Sequence, residues 1–150
     1  MPNWIKGVLK IRGDREHLLK FLNEGLDAVE GGSSSDWKIS TDHEDLYVHI
    51  QAAHIIGTRR GFFENTDEDI YFNDDGVFVM CLDAQFAWNM DVDALVALSK
   101  ACEVDFRFYG FERGMQFNRE IEILQGQLTE DRTITFDDYE WECIDPKKGG

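Results

Sequence analysis

Apolar and polar residues alternate from Trp4 to Arg12, with Lys6, Lys10 and Arg12 on the wet side, and this pattern predicts a first β-strand. Gly13-Asp14 ends it and offers Asp14 as a helix N-cap. Leu18, Leu19, Phe21, Leu22, Leu26 and Val29 then recur at helical spacing, predicting an amphipathic helix over 14–29. Glu30 to Asp36 lacks apolar residues and is rich in Gly and Ser, which predicts a flexible loop.

Leu46 to Gln51 alternates as a strand. Asp69 to Phe72 and Val77 to Met80 flank Asn73-Asp74-Asp75-Gly76, the composition of a hairpin turn, because Gly76 tolerates positive φ. Asp91 is placed to cap a second helix carrying Leu95, Val96, Leu98, Ala101 and Cys102 over 91–102, with a strand over 104–110 close behind. After a turn at Glu112-Arg113-Gly114, residues 117–123 alternate again. The polar run Thr129 to Arg132 reads as a turn into a return strand at Ile134 and Phe136, so the C-terminal third is expected to be a three-stranded meander ending at Tyr139 to Glu142. The tail over 146–150 is expected to fray. Strand, helix, strands, helix, strand is the order of a ferredoxin-like α+β sandwich, with two helices on one face of an antiparallel sheet and a C-terminal β-hairpin extending it.

Length and composition fit one domain over 1–150. With 150 residues, 43% hydrophobic and 13% aromatic, the chain is long and apolar enough to bury a core without disulfides or a metal. Cys81, Cys102 and Cys143 are odd in number and form no C-x-x-C pair, the usage of reduced thiols in a cytosol. The N-terminus has no basic segment followed by an apolar run, and no stretch approaches a transmembrane span, so a cytoplasmic location in a bacterial cell and no membrane contact are expected.

The charge changes the picture most. Thirty acids against fifteen bases give a net charge of −15, which disfavours direct binding to nucleic acid or anionic membrane and favours basic protein partners. Between Gly61 and Ser99 there is no Lys or Arg, while Glu64, Asp67, Glu68, Asp69, Asp74, Asp75, Asp83, Asp91 and Asp93 occur. A second acidic stretch, Asp137, Asp138, Glu140, Glu142 and Asp145, is interleaved with Tyr139 and Trp141, as at a contact surface with adhesive rings. Asp67, Glu68, Asp69, Asp74, Asp75, Asp137, Asp138, Tyr139 and Trp141 are the expected partner-binding residues. The bland alternative is an acidic face kept for solubility.

Candidate chemistry is sparse. His17, His43, His49 and His54 form no H-E-x-x-H pattern, and aligning Gly76 with the sixth position of an EF-hand loop puts Tyr71 and Leu82 at ligand positions they cannot fill. No metal and no cofactor are expected. Ser33, Ser34 and Ser35 lie in no nucleophile elbow, and Glu120 and Glu122 read as solvated strand decoration, so no catalytic residue is assigned. Thr58, Arg59 and Arg60, flanked by Gly57 and Gly61, could cradle a carboxylate or phosphate, against the alternative that the arginines pair with nearby acids.

The opening Met1-Pro2-Asn3-Trp4, the strand into Gly13, the stretch Gly57 to Phe62 and the terminal Asp137 to Cys143 together resemble a family of small uncharacterised proteins encoded by bacteriophages and mobile elements, some with a ferredoxin-like domain. Members usually carry Cys where this chain has Ile5. The resemblance implies a phage accessory protein that interferes with host defence. The leading expectation is therefore a non-catalytic acidic inhibitor, of the anti-CRISPR or nucleic-acid-mimic type. It would occupy the basic channel of a host CRISPR effector or other defence nuclease. A small-anion or nucleotide-binding module built on Thr58, Arg59 and Arg60, and an oligomeric structural phage protein, are the alternatives.

Overall fold

The computed structural model describes residues 3–42, 45–71 and 76–144. Of these, 53% are in strands and 20% in helices. The first strand, β1 (Trp4–Asp14), places Ile5, Leu9 and Ile11 in the core and Lys6, Lys10 and Arg12 in solvent. Asp14 then caps α1 (Arg15–Glu24), its Oδ1 accepting the His17 amide at 2.9 Å, and Leu18, Phe21 and Leu22 form the buried stripe.

The helix stops at Gly25, whose amide donates to Phe21 O at 2.7 Å and whose missing side chain makes room for the Phe21 ring. A Cβ there would lie 2.7 Å from Phe21 O. The apolar residues beyond it, expected as two more helical turns, instead start the short strand β2 (Leu26–Ala28). The Gly-Ser stretch carries a single 3-10 turn, Ser34–Asp36, capped by Ser33.

Among the described residues eight further strands follow, β3 (Lys38–Asp42), β4 (Asp45–Ile50), β5 (Ala53–Ile55), β6 (Gly61–Phe63), β7 (Thr66–Tyr71), β8 (Val77–Ala87), β9 (Asp105–Glu112) and β10 (Phe117–Leu124), before the edge strand β11 (Gln127–Thr135). Helix α2 (Val92–Cys102) follows β8, and α3 (Tyr139–Glu142) follows β11. One antiparallel sheet has the order β11-β10-β9-β1-β8-β6-β5-β2, and a second has the order β3-β4-β7.

The ferredoxin-like α+β sandwich is therefore overturned: the protein is mostly β, with an eight-stranded sheet, a separate three-stranded sheet and short helices. Strand spacing explains why two helices do not suffice. Eight strands about 4.8 Å apart span roughly 34 Å, whereas two helices about 10–12 Å wide cover little more than 20 Å. Leu46, Val48, Ile50 and Ile70 of the small sheet join the same apolar cluster as Phe21, Phe63, Leu82, Phe86, Leu95 and Phe106, so the small sheet and both helices share the work of covering the large one.

The expected hairpin across Asn73 to Gly76 also fails in its pairing. β7 pairs with β4 in the small sheet, while β8 pairs with β1 and β6 in the large one. The turn itself, with Asp74 and Asp75, lies outside the described residues. At the C-terminal end β9, β10 and β11 form the expected meander, but the turn is Gln125-Gly126, with φ of 51° and 74°, between Leu124 and Gln127. Thr129 to Arg132 lies within β11, an edge strand exposed over almost its whole length, which is why it reads as a turn.

Candidate functional site

Three groups of residues were singled out by the sequence, and the structure separates them onto different elements. Asp67, Glu68 and Asp69 stand consecutively on β7, an edge of the small sheet. Register divides them between faces. Glu68 lies opposite Val48 on the side that carries the buried Leu46 and Ile70, whereas Asp67 and Asp69 lie opposite His49 and Tyr47 on the outer side. Asp67 Oδ1 accepts the Tyr47 hydroxyl at 2.9 Å, and this bond to a carboxylate raises the Tyr47 pKa. Glu68 is held above the usual carboxylate range, first by partial burial and second by the neighbouring charge of Asp83. No Lys or Arg forms an ion pair with these three acids among the described residues.

The second group belongs to the C-terminal segment, which folds back against β9 and β10. Tyr139 is buried and donates its hydroxyl to Asn118 Oδ1 at 2.9 Å, while Asn118 Nδ2 donates to the Tyr109 hydroxyl at 3.1 Å. Burial, followed by the contact with Cys143, pushes the Tyr139 pKa well up, so it is a neutral donor at all ordinary pH values. Tyr139 is thus the anchor of α3 rather than part of its outer surface. Trp141 faces outward at 87% exposure beside the exposed Asp137, Asp138, Glu140 and Glu142. Asp138 also caps the short helix, its Oδ1 accepting the Trp141 amide at 3.3 Å.

Thr58, Arg59 and Arg60 sit in the turn between β5 and β6. The buried Thr58 hydroxyl donates to Ile55 O at 2.6 Å and accepts the Gly61 amide at 3.1 Å, so it closes the turn from inside. The Arg59 amide donates to Asp91 Oδ2 at 2.7 Å, which takes Asp91 away from the capping bond expected for α2. Arg60 lies over the Trp4 ring at 5.3 Å, a cation-π contact rather than the ion pair that abundant local acids suggested.

Sequence reasoning missed a cleft of about 520 Å³ on the large sheet, lined by Val29, Ala52, Phe62, Phe63, Glu64, Asn65 and Gln85. Phe62 lies opposite Gln85 in the ladder, and the Glu64 amide donates to Asp83 O at 2.9 Å as β6 ends. Its residues come from four separate stretches of chain, and only Glu64, within the acidic run, carried any signal in one dimension. Among the described residues no group of three or more His, Cys, Asp or Glu is placed to hold a metal ion, and no helix is long and apolar enough to cross a membrane. Comparison with protein-family models, curated proteins and solved structures finds no match.

Proposed function

We propose that the chain is a non-catalytic, phage-type accessory protein, an acidic inhibitor that binds a basic host nucleic-acid-binding defence protein in place of its nucleic acid. The observation that carries this reading is strand β7. A strand advances about 3.4 Å per residue, so the outward-facing Asp67 and Asp69 stand about 7 Å apart on an exposed sheet edge, a short line of carboxylates with which no Lys or Arg pairs among the described residues, as a basic nucleic-acid channel would meet. The exposed Trp141, set among acids, adds a ring of the kind that anchors protein interfaces.

The test is capture of a partner from host lysate on immobilised protein at 0.1 M salt, with parallel capture by an Asp67→Lys/Asp69→Lys variant. These two side chains point away from the core, so the reversal spares the fold. Excess duplex DNA or guide RNA is expected to displace the partner, and rising salt is expected to weaken binding as the Debye length falls from about 10 Å toward 3 Å. The variant is expected to capture at least tenfold less. A partner that ignores salt, survives the double reversal and stays bound alongside nucleic acid would refute mimicry.

A further inference from the structure

The cleft beside β6 combines features that select one kind of cation. Phe62 and Gln85 occupy one cross-strand row of the outer sheet face, since Gln85 lies opposite Phe62 and alternates with the buried Ala84 and Phe86. Glu64 follows the end of β6 directly, and the bond from its amide to Asp83 O keeps it beside β8. The cleft therefore offers an aromatic ring, a carboxylate and the side-chain amides of Gln85 and Asn65, the last fixed by its Oδ1 accepting the Ala52 amide at 3.0 Å. Glu64 forms no ion pair among the described residues, although Lys6 lies opposite Gln85 on the neighbouring strand. Asp83, whose carbonyl accepts the Glu64 amide, adds negative potential next to it.

We infer that this cleft is a receptor for an arginine side chain of the basic partner, an inference that rests on the inhibitor reading above. A guanidinium stacks its flat face on an aromatic ring while its edge makes two parallel hydrogen bonds to a carboxylate, and its remaining N–H groups suit amide oxygens such as that of Gln85. An ammonium cannot stack in this way, and an anion meets the Glu64 carboxylate. The cleft volume of about 520 Å³ is ample for one arginine with its adjoining backbone.

The experiment titrates the intact protein with the peptides Gly-Arg-Gly and Gly-Lys-Gly, both with blocked termini, and follows backbone amide resonances. The arginine peptide is expected to shift the amides of Phe62, Glu64, Asn65 and Gln85 in particular, and to bind several-fold more tightly than the lysine peptide. Glu64→Gln is expected to weaken it about tenfold or more, through loss of charge-assisted hydrogen bonds. Phe62→Leu, which keeps an apolar side chain against Trp4 and His54, is expected to weaken it about threefold, through loss of the ring face. Melting curves of both variants report whether they fold, and a Glu64→Asp variant covers the case in which Glu64→Gln does not. Equal affinity for the two peptides, shifts spread evenly over the acidic surface, or indifference to the Glu64 substitutions overturns the inference. The outcomes stay separable. Loss of arginine binding in Glu64→Gln with a captured partner that ignores Asp67→Lys/Asp69→Lys and coexists with DNA would sink the inhibitor reading and keep the cleft. The converse would sink the cleft alone.

Discussion

At the scale of single residues, the polar groups that the core admits are placed where the backbone needs them. Thr58 closes a turn, the buried Glu112 accepts the amides of Gly114 and Met115 at 2.7 and 2.8 Å, and Ser99 ties the end of α2 to the β10–β11 turn by donating to Val104 O and accepting the Gly126 amide. Glu68 differs, since its environment opposes its charge. Its pKa is raised on folding, so the native state holds the proton more tightly than the unfolded chain, and stability falls as pH rises from the unfolded value of about 4.5 through the folded one. Glu68→Gln is expected to leave stability unchanged at pH 4 and to raise it at pH 7, by less than about 1 kcal/mol because solvent screens a partly exposed group. Urea denaturation of both proteins at the two pH values measures this, and a gain at pH 4 equal to that at pH 7 would contradict it.

At the scale of elements, the informative case is the C-terminal segment. Helix α3 has four residues, too short to be stable in isolation, so its position depends on the Tyr139 ring, which packs on Phe136, and on the Tyr139–Asn118–Tyr109 chain of hydrogen bonds. Asn118 is fully buried. Asn118→Ala leaves the Tyr139 hydroxyl without its acceptor and is expected to cost about 1–3 kcal/mol, read by chemical denaturation. The same change is expected to speed proteolytic cleavage near Trp141 relative to cleavage in the body of the domain. Uniform protection in the variant would show that packing alone holds the segment. The edge strand β11 shows a different device. Its charged residues and the register shift opposite Glu122 and Ile123 blunt an otherwise open ladder, as edge strands that avoid pairing with other chains do.

At the scale of the whole molecule, a charge of −15 on 150 residues sets the long-range behaviour. Among the described residues no acid between Gly61 and Ser99 forms an ion pair with Lys or Arg, so self-repulsion opposes the compact state. The melting temperature is expected to rise when sodium chloride increases from 0.01 M to 0.15 M, as the Debye length shortens from about 30 Å to 8 Å. A melting temperature that is flat or falls over that range would mean that local ion pairs such as Arg119–Asp131 and Arg12–Asp105 outweigh the general repulsion. The same field is what a basic partner would meet first, before any contact with the cleft at Phe62 and Glu64.

The sequence by itself determined the strands over 4–12, 46–51 and 104–110 to within two residues at each end, the start of α1 at Asp14 and the existence of α2, because period and capping chemistry act within a few residues. It also determined the acidic character of the surface, which is a sum over residues. Only the tertiary structure decided where those elements go. Leu26 and Val29 continue a helical period yet leave the helix, because Gly25 admits the Phe21 ring and Leu26 finds a partner in Ile55. β7 and β8 are separated by a stretch that reads as a hairpin turn yet join different sheets, because β1 and β4 offer each of them a long antiparallel ladder. The cleft belongs to the same class. Its ring, carboxylate and amides come from Phe62, Glu64, Asn65 and Gln85, up to 23 positions apart, and they meet only because β6 pairs with β8, a long-range choice that no local pattern records.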